Sequence, residues 1–373
     1  MRVFYYCPEA KKTIMGSWQQ FHFLEELARY DIFFEAFNPL LYNNMAEVYD
    51  AASKRIESGG YDLFFTGQCN EKFLPKDLLL FCRKKGIPSL SIRYDNYVIP
   101  FMDKELSPFF DLVWITSQET KYLYDRFGAN TVFAPYAANP FVYTYKESCD
   151  IKRAACFIGT PHSSRANLIN CLTQNGIKVD AFYGKSNETI VNPTPIPIKM
   201  AYPEFGFIKN HVDLARFSAG RTMLYASVID KLKKKNEVIE NTNLSVLPRV
   251  SFEELPNKYS QYALSLAFTS LQHTDVLNNP IKIVDLRNFE IPMSGGIEFC
   301  RYHDEMASYF DEGKEIVFYN TRDELIDKAD YYIHRAPEEE IRRIKAAARK
   351  RAEKEHTWYC RFKKVFAELN IKI

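Results

Sequence analysis

The chain has 373 residues, with 49 Lys and Arg against 47 Asp and Glu, a formal net charge of only +2. That near-balance argues against a nucleic-acid binder held by a strongly basic surface, and 46% hydrophobic residues exclude a disordered chain. Aromatic residues reach 15%, with 29 Phe, 24 Tyr and 3 Trp, which poses a choice between a ligand-stacking surface and a bulky core.

At roughly 100–200 residues per domain the length suggests two domains, with three still open. The first half alternates short apolar runs with amphipathic stretches. Arg2–Cys7 (RVFYYC) reads as a buried strand, and Ser17 caps a helix that carries His22. Strands follow at Asp31–Phe37, Tyr61–Thr66, Ser89–Tyr94, Leu112–Thr116 and Thr131–Ala134. Helices at Asn44–Ser58, Pro75–Lys85 and Glu119–Phe127 separate them. This alternation signals a parallel sheet covered on both faces. Residues 138–151 carry no periodicity and read as a connection.

The pattern then restarts with a strand at Ala154–Ile158, Gly159 and a helix around Arg165–Asn175. A strand at Ile177–Tyr183 ends in Gly184, and residues 189–209, rich in Pro and aromatics, read as an irregular insertion. Arg221–Asn236 and Phe252–Tyr259 read as helices, Tyr262–Phe268 and Glu315–Tyr319 as strands. Thr321 caps a helix over Arg322–Arg335. Pro337–Glu355 is a charged helix, read as a solvated face or as peripheral contact with anionic lipid. A last helix covers Thr357–Leu369.

Eight cysteines form no CxxC pair, so reduced thiols in the cytoplasm are the simplest expectation. No apolar run approaches the roughly 18–20 residues that cross a bilayer, and MRVFYYCPEAKKT lacks the apolar core of a signal peptide.

Two strand–glycine–helix junctions, at Gly16 and Gly159, can present helix N-terminal N–H groups to phosphate. Arg165 follows the second and can add a positive charge. A loop glycine and a surface arginine explain the same residues. Neither junction matches GxGxxG or GxxxxGK[ST], which disfavours a dinucleotide dehydrogenase or P-loop ATPase. A stronger constellation is DLRNFEIPMSGGIEFCR, residues 285–301. Glu290 reads as an acid at a strand-to-helix turn, able to accept from a ribose diol. Gly295 and Gly296 remove Cβ atoms from a close backbone approach. Arg287 can pair with Glu290 or reach a phosphate. An incidental surface turn is the competing reading. His22, His162 and His273 can each donate to a ligand or act as a base, or be ordinary packed or surface histidines.

The segments LRNFEIPMSGGIEF, FDEGKEIVFYNTRDELIDKADYYI and KAAARKRAEKEHTWYCRFKKVF strongly resemble the end of the nucleotide-binding domain of GT-B glycosyltransferases, in the group-1 branch that includes spore-maturation-type proteins. FIGTPHSSR, RYDNY and FAPYAANPFVY are weaker echoes upstream. The resemblance implies an α/β GT-B fold of two Rossmann-like domains facing each other across a cleft. Their expected bounds are 1–145 on the acceptor side and 150–355 for nucleotide-sugar binding, with 356–373 returning to the first domain. It implies Glu290 on the donor ribose and Gly295 and Gly296 near the donor phosphates. Gly16, Gly159, Arg165, Lys185 and Arg287 are candidate phosphate contacts, Lys185 and Arg287 offsetting Thr160, which stands where the family has a first basic residue. Lys282 stands where larger families have the first acid of an E-x7-E pair. Asp95, in RYDNY, occupies the place of a cleft histidine and joins His22 as a candidate catalytic group, while His356 in the EHT motif is structural.

The implied function is transfer of a sugar from a nucleotide-diphosphate donor, of UDP or GDP type, to a glycan, lipid-linked or protein acceptor, in cell-surface polysaccharide biosynthesis. Retention and independence of metal or other cofactors are expected, in the cytoplasm or at the inner face of the membrane. An epimerase-type enzyme and a non-catalytic nucleotide-sugar-binding partner are the alternatives. Most aromatics fall in strand and helix-packing positions. Tyr94, Tyr97, Tyr136, Tyr183 and residues 202–207 remain as stacking candidates.

Overall fold

The computed structural model describes residues 1–8, 18–98, 100–145, 150–161, 164–184, 206–233 and 237–373. The chain forms two compact units, Met1–Pro135 with Val191–Arg221 and Trp358–Ile373, and Tyr136–Ile190 with Thr222–Thr357. Residues 136–145, which the sequence assigns to the first half, therefore group with the second unit. Among the described residues no helix is long and apolar enough to cross a membrane.

The first unit holds a six-stranded parallel sheet of β1 (Arg2–Tyr6), β2 (Phe33–Phe37), β3 (Leu63–Thr66), β4 (Ser89–Arg93), β5 (Leu112–Ile115) and β6 (Thr131–Phe133), in the order β2-β1-β3-β4-β5-β6. Side chains alternate across a strand, so consecutive aromatics serve opposite faces. Phe4 stacks on Phe64 at 5.7 Å and Tyr6 on Phe37 at 5.8 Å on one face. Tyr5 and Phe65 meet at 5.3 Å on the other. There the C-terminal helix Trp358–Glu368 closes the core. Phe362 lies 5.7 Å from Phe65 and 5.1 Å from Trp114. The helix start is held by buried Glu26, whose carboxylate accepts from the Trp358 N–H at 3.3 Å and the Tyr359 N–H at 2.6 Å. A carboxylate there satisfies orphan donors and suits the positive end of the helix dipole.

The second unit holds β7 (Lys152–Ile158), β8 (Val179–Gly184), β9 (Leu244–Pro248), β10 (Tyr262–Ala267), β11 (Glu298–Arg301) and β12 (Val317–Tyr319), in the parallel order β12-β11-β10-β7-β8-β9. The order reverses between β7 and β10, which makes the carboxyl ends of these strands the switch point where such sheets bind ligands. Thr321 caps the helix Arg322–Asp330 as expected, accepting from the Glu324 N–H at 3.1 Å, while Glu324 accepts from the Asn320 N–H at 2.9 Å.

Two strands escape the sequence reading. β9 is a half-exposed edge strand ending in Pro248, and β11 is four residues opening on Glu298. Neither shows apolar alternation. The strand-to-helix turn expected at Glu290 is instead the helix Arg287–Met293 with Pro292 inside it. A proline there removes one intrahelical donor, and the helix ends at once at Ser294.

Phe362→Ala removes a ring that touches both sheet and helix layers of the first unit. It is expected to destabilise that unit by about 3–5 kcal/mol, read as a lower urea midpoint for the first unit's transition. An unchanged midpoint would show that the helix is not part of that core.

Candidate functional site

The carboxyl ends of β7 and β10 bring several of the sequence candidates together. Gly159 follows β7 with φ +141°. A Cβ on it would lie 3.4 Å from Arg287 Nη2. Only glycine takes this backbone region freely, so the loop approaches the guanidinium without strain. Arg165, in the helix Ser164–Gln174, donates to the Phe268 carbonyl at 3.4 Å. Burial lowers its pKa first, and the like charge of Arg287 lowers it further, with Asp285 and Asp275 opposing.

Arg287 opens the short helix. Asp285 accepts from the Arg287 N–H at 2.9 Å, and its carboxylate lies 3.9 Å from the guanidinium. Burial works against the Arg287 charge, yet Asp285, Tyr259 and Glu290 outweigh it and hold the pKa above the usual value. The Arg287 Nε is buried and has no acceptor among the described residues. Glu290 is 6% exposed, and its carboxylate accepts from the Tyr143 hydroxyl at 2.5 Å. Burial pushes Glu290 up to about 7, against the lowering effects of Tyr143 and Arg287.

Several supporting residues were not singled out from the sequence. The Asn288 amide donates to Glu298, and its carbonyl oxygen accepts from the Asp285 N–H at 2.7 Å. Arg349 donates to the carbonyls of Tyr143 and Met293, and to that of Pro140 at 3.0 Å. Lys345, 1% exposed, donates to the Ser260 carbonyl at 2.7 Å. Burial lowers its pKa to about 7. The charged helix Glu338–Glu355 is therefore more than a solvated face. Its Lys345 and Arg349 tie down the segments that carry Tyr259 and Tyr143. The only sequence hint is the run Ala346–Ala348, whose small side chains permit close helix approach.

Gly295 has φ +69° and closes the short helix, where a Cβ would run into the Tyr145 ring. A Cβ on Gly296 would lie 2.9 Å from Ile291 and 3.0 Å from the Tyr259 carbonyl. Protein packing thus accounts for both glycines. His356 accounts for the EHT motif, since its ring packs on Phe289 at 5.3 Å and Phe310 at 4.8 Å. His273 Nδ1 lies 2.8 Å from the Asp230 carboxylate.

The two catalytic candidates lie in the first unit. His22 is fully buried, 4.6 Å from Trp18 and 6.1 Å from Trp358, and burial drops its pKa to about 3. A neutral imidazole in such a shell is built for packing. Asp95 is exposed after β4 with φ +50° and accepts from the Tyr97 hydroxyl at 3.2 Å. Its loop is fixed by Asn96, whose Oδ1 accepts from the Thr116 and Ser117 N–H groups at 3.1 and 2.9 Å. Gly16, Lys185 and His162, with the side chains of residues 202–207, lie outside the described residues. Tyr97 and Tyr136 are buried, which makes them core rather than stacking surface.

A family model described as "Glycosyl transferase-like" matches residues 217–367. No curated protein matches the sequence. Among solved structures, HepE of Anabaena in complex with UDP and glucose is similar over 99% of both chains, with 12% identity and a TM-score of 0.55. Sucrose-phosphate synthase of Thermosynechococcus elongatus is similar over 99% of both, with 11% identity and a TM-score of 0.56. A glycosyltransferase of Rickettsia africae covers 98% of this chain and 97% of its own, with 10% identity and a TM-score of 0.54. The fold is the two-unit α/β fold of GT-B glycosyltransferases.

Burial also lifts Glu298, to about 8, against the opposing Asn288 hydrogen bond. A folded-state pKa above the unfolded value means that the native unit holds the proton more tightly. This contribution is full below the ordinary carboxyl range and is lost as pH rises through about 7 to 8. Stability of the second unit should fall over that window. Glu298→Gln keeps an acceptor for Asn288 and removes the charge, so thermal melts from pH 5 to 8.5 should become flatter and higher at the alkaline end. A profile parallel to wild type would refute the assignment.

Proposed function

We propose that the chain is a glycosyltransferase that uses a nucleotide-diphosphate sugar, bound on the second unit. The observation that carries this reading is the pairing of Arg165 and Arg287 beside Gly159 at the switch point. Two partly buried like charges repel, and a diphosphate between them would turn that repulsion into attraction. The unpaired Arg287 Nε supports the same conclusion. The family model over residues 217–367 agrees with it.

In the proposed reaction the bond between the sugar's anomeric carbon and the diphosphate oxygen breaks, its electrons leaving with the diphosphate. The acceptor hydroxyl oxygen forms the new bond, and its proton passes to the departing diphosphate oxygen. Arg165 and Arg287 stabilise the charge that builds on the leaving group, so the reaction is proposed to run without a metal. Retention of anomeric configuration is part of the proposal, as is a UDP- or GDP-type donor. Glu290 accepts from the ribose hydroxyls, with its rotamer fixed by Tyr143.

A thermal-shift screen of UDP-, GDP-, CMP- and dTDP-sugars tests the donor class, with stabilisation by one base type as the expected result. Glu290→Ala should weaken that nucleotide by about tenfold or more, the scale of a hydrogen bond to a charged group. Wild-type affinity in this variant would sink the ribose assignment. Sugar transfer should persist after exhaustive chelation, whereas activity restored only by Mn²⁺ would overturn the metal-free mechanism.

A further inference from the structure

A second cleft lies in the same unit, at the carboxyl ends of β10, β11 and β12. It encloses about 480 Å³, open mouth included, and Thr269, Ser270, Asp275, Arg301, Tyr319 and Arg322 line it. Arg301 is the last residue of β11 and Arg322 the first of the helix Arg322–Asp330. No hydrogen bond or ion pair engages either guanidinium among the described residues. Arg153 and Arg351 of this unit are engaged, Arg153 by the Tyr332 and Ala336 carbonyls and Arg351 by Tyr309 and Glu355, while Arg249 and Arg343 lack a partner among the described residues but are exposed. Arg301 is only half-exposed, so its donors are partly withdrawn from water. Among the described residues that line the cleft, Asp275 is a carboxylate set against two arginines. The cleft adjoins the diphosphate candidates, because Arg165 donates to Phe268, which also lines it, and feels the charge of Asp275.

We propose that this cleft binds an anionic group, a carboxylate or phosphate, carried by a sugar substrate, through Arg301 and Arg322, with the Thr269 and Ser270 hydroxyls as further donors. Arginine's planar fork suits both oxyanions and gives two parallel bonds to each. A neutral sugar offers hydroxyls that both donate and accept, and it gains less than an oxyanion from two positive charges in one cleft, the half-exposed Arg301 and the exposed Arg322. The charge can come from the transferred sugar, as in a uronic-acid donor, or from a phosphorylated sugar acceptor. The inference deepens the glycosyltransferase reading and rests on it for the word substrate. The cleft itself does not.

The test uses the full chain at fixed low ionic strength, because exposed charges are screened by salt. Titration calorimetry compares UDP, UDP-glucose, UDP-glucuronate and free glucose 6-phosphate on wild type, Arg301→Gln and Arg322→Gln. A donor-borne anion predicts about tenfold tighter binding of UDP-glucuronate than UDP-glucose. Each variant would lose that preference while keeping wild-type affinity for UDP. An acceptor-borne anion predicts glucose 6-phosphate binding, measured without nucleotide, that falls about tenfold in either variant. If neither anion depends on these arginines, the proposal is overturned. It is also overturned if the variants lose UDP as strongly as the acidic ligand, since the arginines then belong to the nucleotide site. Absence of UDP binding in wild type would strike the glycosyltransferase reading alone, because the glucose 6-phosphate arm still reads the cleft.

Discussion

The second unit is organised around one costly act, the burial of the Glu290 carboxylate. A charge taken out of water must be hydrogen-bonded and offset, or it shifts toward its neutral form. Tyr143 supplies the hydrogen bond and Arg287 the opposite charge. Tyr143 stands 147 residues away in sequence, so meeting this demand draws the 136–145 segment into the second unit. Arg349 then locks the arrangement by bonding the carbonyls of Pro140, Tyr143 and Met293. The short helix, the returning segment and the long charged helix become one hydrogen-bonded assembly.

The first unit is held differently. Its sheet faces carry stacked and edge-on aromatic rings, and its buried polar pairs sit beside the sheet. Arg93 bonds Asp103 at 2.7 and 2.8 Å, and Tyr124 adds a third bond to the same carboxylate at 2.5 Å. Burial raises the Asp103 pKa against the pull of Arg93. This network anchors the stretch following β4, where Asp95 takes its left-handed conformation. Part of the chain's aromatic content is spent on this sheet and on the helix returning to it, as in Phe4, Tyr5, Phe64, Phe65, Trp114, Trp358 and Phe362. Two-sided parallel sheets need large apolar side chains on both faces.

What could be read from the sequence divides along a physical line. Strands with apolar runs, such as RVFYY and YALSLA, were legible because both faces are buried. β9 and β11 were not, since an exposed edge and an acidic first residue erase the pattern. The site was legible where its parts are neighbours in sequence. Arg287, Glu290 and the two glycines lie within ten residues, and Gly159 precedes Arg165 by six. Tyr143, Tyr259, Lys345 and Arg349 were not, because a buried hydrogen bond between distant segments leaves no local periodicity. Pro292 misled in the other direction. It reads as a turn, yet a seven-residue helix loses a single bond to it.

The arginines of the second unit sort themselves by what satisfies them. Arg349 reaches three carbonyls and a carboxylate, so the protein has used its donors, and its role is to hold segments together. Arg287 is partly satisfied, by Asp285 and Tyr259, and keeps a buried Nε without an acceptor. Arg301, half-exposed, and Arg322, exposed, have no protein acceptor among the described residues. Leaving a shielded donor unmade costs more than an ordinary hydrogen bond returns. A fold that satisfies Arg349 so fully has acceptors at its disposal. Among the described residues it leaves the buried Arg287 Nε and the half-exposed Arg301 without an acceptor, at the carboxyl edge of one sheet, and that is the physical ground on which both proposals for this unit stand.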